Sequence, residues 1–301
     1  MYVLTTGRGI PIYRSKNLLQ WENTGSVFQE AVPAWAGQKI TGARNIWAPD
    51  IVFFNGFYHV YYSVSTFGGQ RSLIALAVNK TLDPSSPDYK WEDLGIVLES
   101  HPDHTDYNAI DPALFVDHDG KTYLYWGSYW TGIKAVEVDP ETGKPFKYRD
   151  GELKIPDGYL AVARRASNND MSIEAAYVVR HNDHYYLFTS WGSCCDGVKS
   201  TYRIMVGRST SPLGPFVDRD GKRLDEGGGT LVLQSTDKWK GTGHNGFFRT
   251  SSGTGQTNDW LILAAYSADA PQIGRQTQIR PLHWDENDWP VPGEILSSPM
   301  N

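Results

Sequence analysis

Trp47-Ala48-Pro49-Asp50-Ile51-Val52-Phe53-Phe54-Asn55-Gly56-Phe57-Tyr58-His59-Val60-Tyr61-Tyr62 places a polar residue at the head of an apolar strand, then a turn, then an aromatic strand. Alternating apolar residues on either side of Asn-Gly predict a β-hairpin. The same order recurs. Asp111, in Asn108-Ala109-Ile110-Asp111-Pro112-Ala113-Leu114, precedes the turn Asp117-His118-Asp119-Gly120 and the strand Thr122-Tyr123-Leu124-Tyr125-Trp126. Glu174, in Ile173-Glu174-Ala175-Ala176-Tyr177-Val178, precedes Asn182-Asp183 and His184-Tyr185-Tyr186-Leu187-Phe188, and His244 heads a fourth unit in Gly243-His244-Asn245-Gly246-Phe247-Phe248. The heading residues Asp50, Asp111, Glu174 and His244 stand 61, 63 and 70 residues apart. A repeat of that length, with three or four strands per unit, reads as a β-propeller blade. At about 60 residues per blade the chain holds five. The expectation is an all-β, five-bladed β-propeller, with residues 1–301 forming a single domain. A sandwich of irregular strands leaves the recurring polar residue unexplained.

Composition agrees with this and narrows the partners. Glycine (30) and aromatics (13% of 301 residues) are abundant, which suits short strands and tight turns better than long helices. The formal charge of −6 argues against a nucleic-acid partner or an anionic membrane surface. The longest clear apolar run, Leu261 to Tyr266, is far too short for a helical membrane span. The two cysteines, Cys194 and Cys195, cannot make a disulfide framework, and packing is the expected role for them.

The opening residues Tyr2-Val3-Leu4-Thr5-Thr6-Gly7 match the second strand of a later unit, Tyr61-Tyr62-Ser63-Val64-Ser65-Thr66. Counting back from Tyr2 puts the first heading residue before Met1, so the first blade is expected to be incomplete. An unpaired strand edge invites association, and a homo-oligomer covering that edge is the matching expectation.

In a propeller the first strand of each blade lines the central channel, so residues heading successive inner strands converge near the axis. Two carboxylates and a histidine gathered there form a polar cluster with a chemical purpose. Glu174 lies in an apolar run where a solvated glutamate is out of place. Asp111 precedes Pro112 and on its own would open a turn; its register with Glu174 makes it a catalytic candidate. Asp50 shares the register but is read as a structural hydrogen-bonding residue. His101-Pro102-Asp103-His104-Thr105-Asp106 reads as a loop between blades, Gly227-Gly228-Gly229 as a turn, and one of Arg164 and Arg165 as ion-paired. A Gly-x-Ser-x-Gly elbow and a His-Glu-x-x-His zinc site are both missing from the sequence.

These residues resemble glycoside hydrolase family 43, and within it the endo-acting α-1,5-L-arabinanases. The resemblance runs through Gly7-Arg8-Gly9-Ile10-Pro11-Ile12, Trp47-Ala48-Pro49-Asp50, Asn108-Ala109-Ile110-Asp111-Pro112, Trp126-Gly127-Ser128-Tyr129-Trp130, Ile173-Glu174-Ala175, the stretch around Cys194-Cys195, and Gly241-Thr242-Gly243-His244-Asn245. It implies that Glu174 is the general acid and Asp111 the carboxylate that tunes and orients it. It implies that Trp47, Phe67 and Asn108 meet the substrate, arabinan or arabino-oligosaccharides. His244 resembles a histidine that faces a channel cation through water. Calcium is the expected ion; because a lone histidine with waters makes a poor calcium cage, sodium is the other candidate. The family's general base, an aspartate in a His-Asp-Pro motif, has no counterpart in residues 1–301, and Leu263-Ala264-Ala265-Tyr266 stands where relatives carry Tyr-His-Ala-Tyr.

Inversion at a glycosidic bond needs one protonated carboxyl beside the leaving oxygen and one ionised carboxylate activating water, roughly 6.5–9.5 Å apart. Two other readings stand beside the endo-acting hydrolase. One is exo-acting release of arabinose or xylose units by the same fold; the other is a sugar-binding propeller that has lost hydrolysis. A polymeric arabinan substrate points to an extracellular or periplasmic setting.

Overall fold

A computed structural model describes residues 1–167, 169–251 and 257–297. The described chain is almost wholly strand and turn, with one short helix, α1 (Ala34–Lys39). It divides into two compact units, residues 1–161 and 162–301.

The first unit holds three antiparallel meanders. The first is the three-stranded sheet β1 (Tyr2–Leu4), β2 (Pro11–Arg14) and β3 (Glu22–Ser26). The second has four strands, β4 (Trp47–Phe54), β5 (Phe57–Val64), β6 (Ser72–Asn79) and β7 (Glu92–Ser100). The third runs through β8 (Ala113–Val116), β9 (Thr122–Trp126), β10 (Ile133–Asp139) and β11 (Lys144–Pro145). The chain passes to the second unit along β12 (Leu160–Ala163), which pairs with β10. The second unit has two four-stranded meanders. One is β13 (Ile173–His181), β14 (His184–Trp191), β15 (Arg203–Ser209) and β16 (Thr230–Leu233); the other is β17 (Trp239–Ser251), β18 (Thr257–Ser267), β19 (Arg275–Trp284) and β20 (Pro290–Pro292). Among the described residues the sheets are thus five, and the first has one strand fewer than the simple meanders after it, as the repeat predicts.

Two-residue periodicity explains how the sheets stack. In the second sheet Val60, Tyr62, Val64, Leu73, Ala75 and Ala77 pack with Leu4, Ile10 and Ile12 of the first. Their neighbours Tyr61, Ile74, Leu76 and Val78 point the other way, onto Leu114, Leu124, Trp126 and Val136 of the third. Both faces of this sheet are therefore apolar, and β6 is buried along its whole length. In the second unit Tyr186, Phe188, Ile204 and Val206 meet Leu261, Leu263 and Ala265 in the same way. Turn chemistry follows the sequence too. Asn55 and Gly56 both adopt positive φ (49° and 79°), the geometry a two-residue hairpin turn requires.

Candidate active site

The inner strands β4, β8, β13 and β17 each carry an irregularity within the strand or just before it. Ala48, Asp111, Ala175 and His244 all adopt positive φ, between 42° and 57°. Pairing slips beside three of them, at Trp47/Asp50, Glu174/Tyr177 and Gly243/Gly246. A residue in the left-handed region next to a register slip is a β-bulge, which re-aims side chains at a sheet end. The bulges also set the true register of the repeat. Asp111 and His244 occupy the left-handed position, Glu174 stands one residue before it, and Asp50 stands two after it. The single recurring polar position expected from sequence is therefore three different positions.

Asp50 is displaced from the chemistry accordingly. Its carboxylate accepts the backbone N–H of Leu114, 2.8 Å away in the next sheet. Burial pushes its pKa up to about 6, against the lowering effect of the N–H groups of Leu114 and Ile51. This is the structural hydrogen-bonding role expected for it.

In the first unit, Asp111 is buried and its N–H donates to the Ser63 hydroxyl at 3.0 Å. Ser63 lies directly across the β4–β5 ladder from Trp47, so Trp47 and Asp111 meet at one serine. Asn108 is brought to the same corner. Its Oδ1 accepts from the Ser72 hydroxyl at 2.7 Å, and Ser72 lies 2.7 Å from the hydroxyl of Ser65, two residues beyond Ser63. Asn108 is buried, so its carbonyl end is committed to the sheet. Phe67, just past β5, is 86% exposed and presents its ring to solvent.

In the second unit, Glu174 is buried at the start of β13 and pairs across the ladder with Ser190 of β14. The Ser190 hydroxyl in turn accepts the N–H of His244 at 2.8 Å. Glu174 and His244, 70 residues apart, are thus gathered around one buried serine. Gly243 permits the approach: a Cβ there would lie 2.5 Å from the Tyr202 ring and 3.1 Å from the Ser190 hydroxyl. Burial, reinforced by the Arg275 guanidinium, drives the His244 imidazole down to about 4, so it is neutral at ordinary pH.

Arg165 is the ion-paired member of the arginine pair. It reaches Asp170 at 2.5 Å and lies over the Trp191 ring, 4.0 Å from its centre, whereas Arg164 donates to the backbone carbonyl of Asp225. Cys194 and Cys195 form a disulfide with each other rather than acting as packing thiols. They sit in the loop after β14, which Gly192 ties to Ser172 by an N–H bond of 3.0 Å. In the loop between β7 and β8, His101 lies 3.7 Å from Asp103, with its ring centre 5.0 Å from that of His104. Among the described residues, no three His, Cys, Asp or Glu side chains gather as a metal-ligand set.

Sequence reasoning missed the serines. Their signal was the run of small residues ending each aromatic strand, Thr6, Ser63 and Ser190, each of which accepts an N–H from the residue heading the next inner strand.

The chain matches the family described as "Glycosyl hydrolases family 43" over residues 1–290. It is 39% identical to the extracellular exo-α-(1→5)-L-arabinofuranosidase of Cellvibrio japonicus over 96% of this chain and 82% of that protein. It is 37% identical to the extracellular endo-α-(1→5)-L-arabinanase 1 of Bacillus subtilis over 95% of this chain and 81% of that protein. Among solved structures, the Cellvibrio cellulosa α-L-arabinanase complexed with arabinohexaose superposes with a TM-score of 0.87 at 37% identity, covering 97% of this chain and 90% of that one. An exo-1,5-α-L-arabinanase from a bovine ruminal metagenomic library superposes with the same TM-score and identity, covering 97% and 92%. The five successive meanders, the bulged strand heads and a match spanning nearly every residue leave one conclusion: this chain is a five-bladed β-propeller, three-stranded in its first described sheet, and a glycoside hydrolase of family 43.

Proposed function

We propose that this protein hydrolyses α-1,5-linked L-arabinofuranosyl bonds in arabinan and arabino-oligosaccharides, by inversion and in the endo mode, with Glu174 as general acid. The observation that carries this reading is agreement on one linkage. Relatives named for endo and for exo action both act on α-1,5 bonds, and both match this chain over nearly its full length.

Glu174 would protonate the leaving oxygen, and burial beside Ser190 keeps it out of bulk water. Asp111 is the carboxylate proposed to orient that acid. Trp47 and the exposed Phe67 offer ring faces to the furanose units, and Asn108 supports the binding surface through its bond to Ser72. Inversion also needs an ionised carboxylate to activate water, and no residue of 1–301 is assigned that role. Residues 1–301 are proposed to serve as one catalytic domain.

A cation facing His244 through water is part of the proposal, calcium first and sodium second. The strand offers a neutral imidazole, with Thr242 Oγ1 and Asn245 Oδ1 buried and lacking hydrogen-bond partners. Hard oxygen donors of that kind suit a hydrated alkali or alkaline-earth ion better than a zinc-type site. When bound, the ion supplies fixed positive charge that favours ionised carboxylates nearby.

Chromatography of products from debranched, linear arabinan tests the reading. A ladder of oligosaccharides early in the reaction is the expected result. A single short product from the outset would move the assignment to exo action, and binding of arabinan without bond cleavage would make the protein a sugar-binding propeller.

A further inference from the structure

Three hydroxyls occupy equivalent places in the repeat. Ser63 and Ser190 lie near the end of the second strand of a blade and Thr6 lies just past the end of β1, and each accepts the backbone N–H of a left-handed residue on the next inner strand or just before it: Thr6 for Ala48 at 2.9 Å, Ser63 for Asp111 at 3.0 Å, and Ser190 for His244 at 2.8 Å. A non-glycine residue at positive φ is held there only when its surroundings over-determine it. Ser63 and Ser190 have no exposed surface. Removing either hydroxyl leaves an N–H at a strained position without its acceptor.

We infer that Ser190 is a positioning residue for His244 and Glu174, and that Ser63 is the corresponding positioning residue for Asp111. Ser190 faces Glu174 across the ladder through its main chain and holds the main chain of His244 through its hydroxyl, so one residue ties two functional residues on adjacent sheets. Ser63 does the same for Asp111 and Trp47. Thr6 is the built-in comparison, because the residue it holds, Ala48, carries no chemistry. The inference rests on the arabinan-hydrolase reading.

The experiment compares Ser190→Ala, the isosteric pair Ser190→Thr and Ser190→Val, and Thr6→Ala on linear arabino-oligosaccharides. The expected result is a fall in kcat of about tenfold or more for Ser190→Ala and Ser190→Val, with KM changed less than about twofold. Ser190→Thr, which keeps the hydroxyl, and Thr6→Ala retain most of kcat. Full kcat in Ser190→Ala and Ser190→Val, or equal losses in Ser190→Thr and Ser190→Val, would overturn the inference. Amide hydrogen exchange at His244 separates this from a failure of the functional reading. No turnover by the wild type sinks the substrate assignment. Slow exchange at His244 in the wild type, becoming fast in Ser190→Ala, still upholds the latch, and unchanged exchange removes it.

Discussion

Asp50 shows how a carboxylate can hold a fold together at a pH-dependent cost. It caps the Leu114 N–H from a neighbouring sheet, yet burial lifts its pKa to about 6. The folded protein therefore holds this proton more tightly than the unfolded chain, whose aspartates titrate near about 3.9. The sign follows: stability declines as pH rises from about 4 to about 6, because charging Asp50 is harder in the fold. Asn keeps an oxygen for Leu114 and carries no charge. Asp50→Asn should thus raise stability by about 2–3 kcal/mol near pH 7.5, with the difference vanishing near pH 4, as read by urea unfolding at both pH values. A loss of stability at neutral pH would show that the charge itself is needed. The structural role of Asp50 was readable from the sequence. Its register was not, because a bulge shifts side chains by one or two positions and leaves no mark in residue spacing.

The bulged strand head, with its hydroxyl acceptor, is the unit that turns a repeat into a site. The hairpins that carry it follow from alternation and turn residues, since Asn55-Gly56 demands positive φ at both positions. The acceptors Ser63 and Ser190 were hidden because a serine ending a strand looks the same whether it faces solvent or a neighbouring backbone. The loop after β14 held a second surprise. Adjacent cysteines read as packing residues, yet Cys194 and Cys195 are bonded to each other. A bridge between neighbours encloses almost no chain, so it removes little entropy from the unfolded state. Reduction should lower stability by about 1 kcal/mol or less, measured as the shift in thermal midpoint with and without reductant. A shift above about 3 kcal/mol would mean that the loop depends on the bond for its fold.

At the level of the whole molecule, five meanders in chain order follow from a repeat of about 60 residues. The three-stranded first sheet follows from the match of Tyr2-Val3-Leu4 to a second strand. Family membership was readable because the motifs around Asp111, Glu174 and His244 are spread along nearly the whole chain. The roles of those residues were less accessible, since a carboxylate's task depends on what surrounds it in the fold. The measurement closest to the centre of the account compares Glu174→Gln with wild type on two substrates: an arabino-oligosaccharide, whose leaving group needs a proton, and a 4-nitrophenyl arabinofuranoside, whose leaving group does not. A general acid at Glu174 predicts a loss in kcat of about 10²–10⁴-fold on the oligosaccharide and a far smaller loss on the aryl substrate. Equal losses on both substrates, or none on the oligosaccharide, would contradict it.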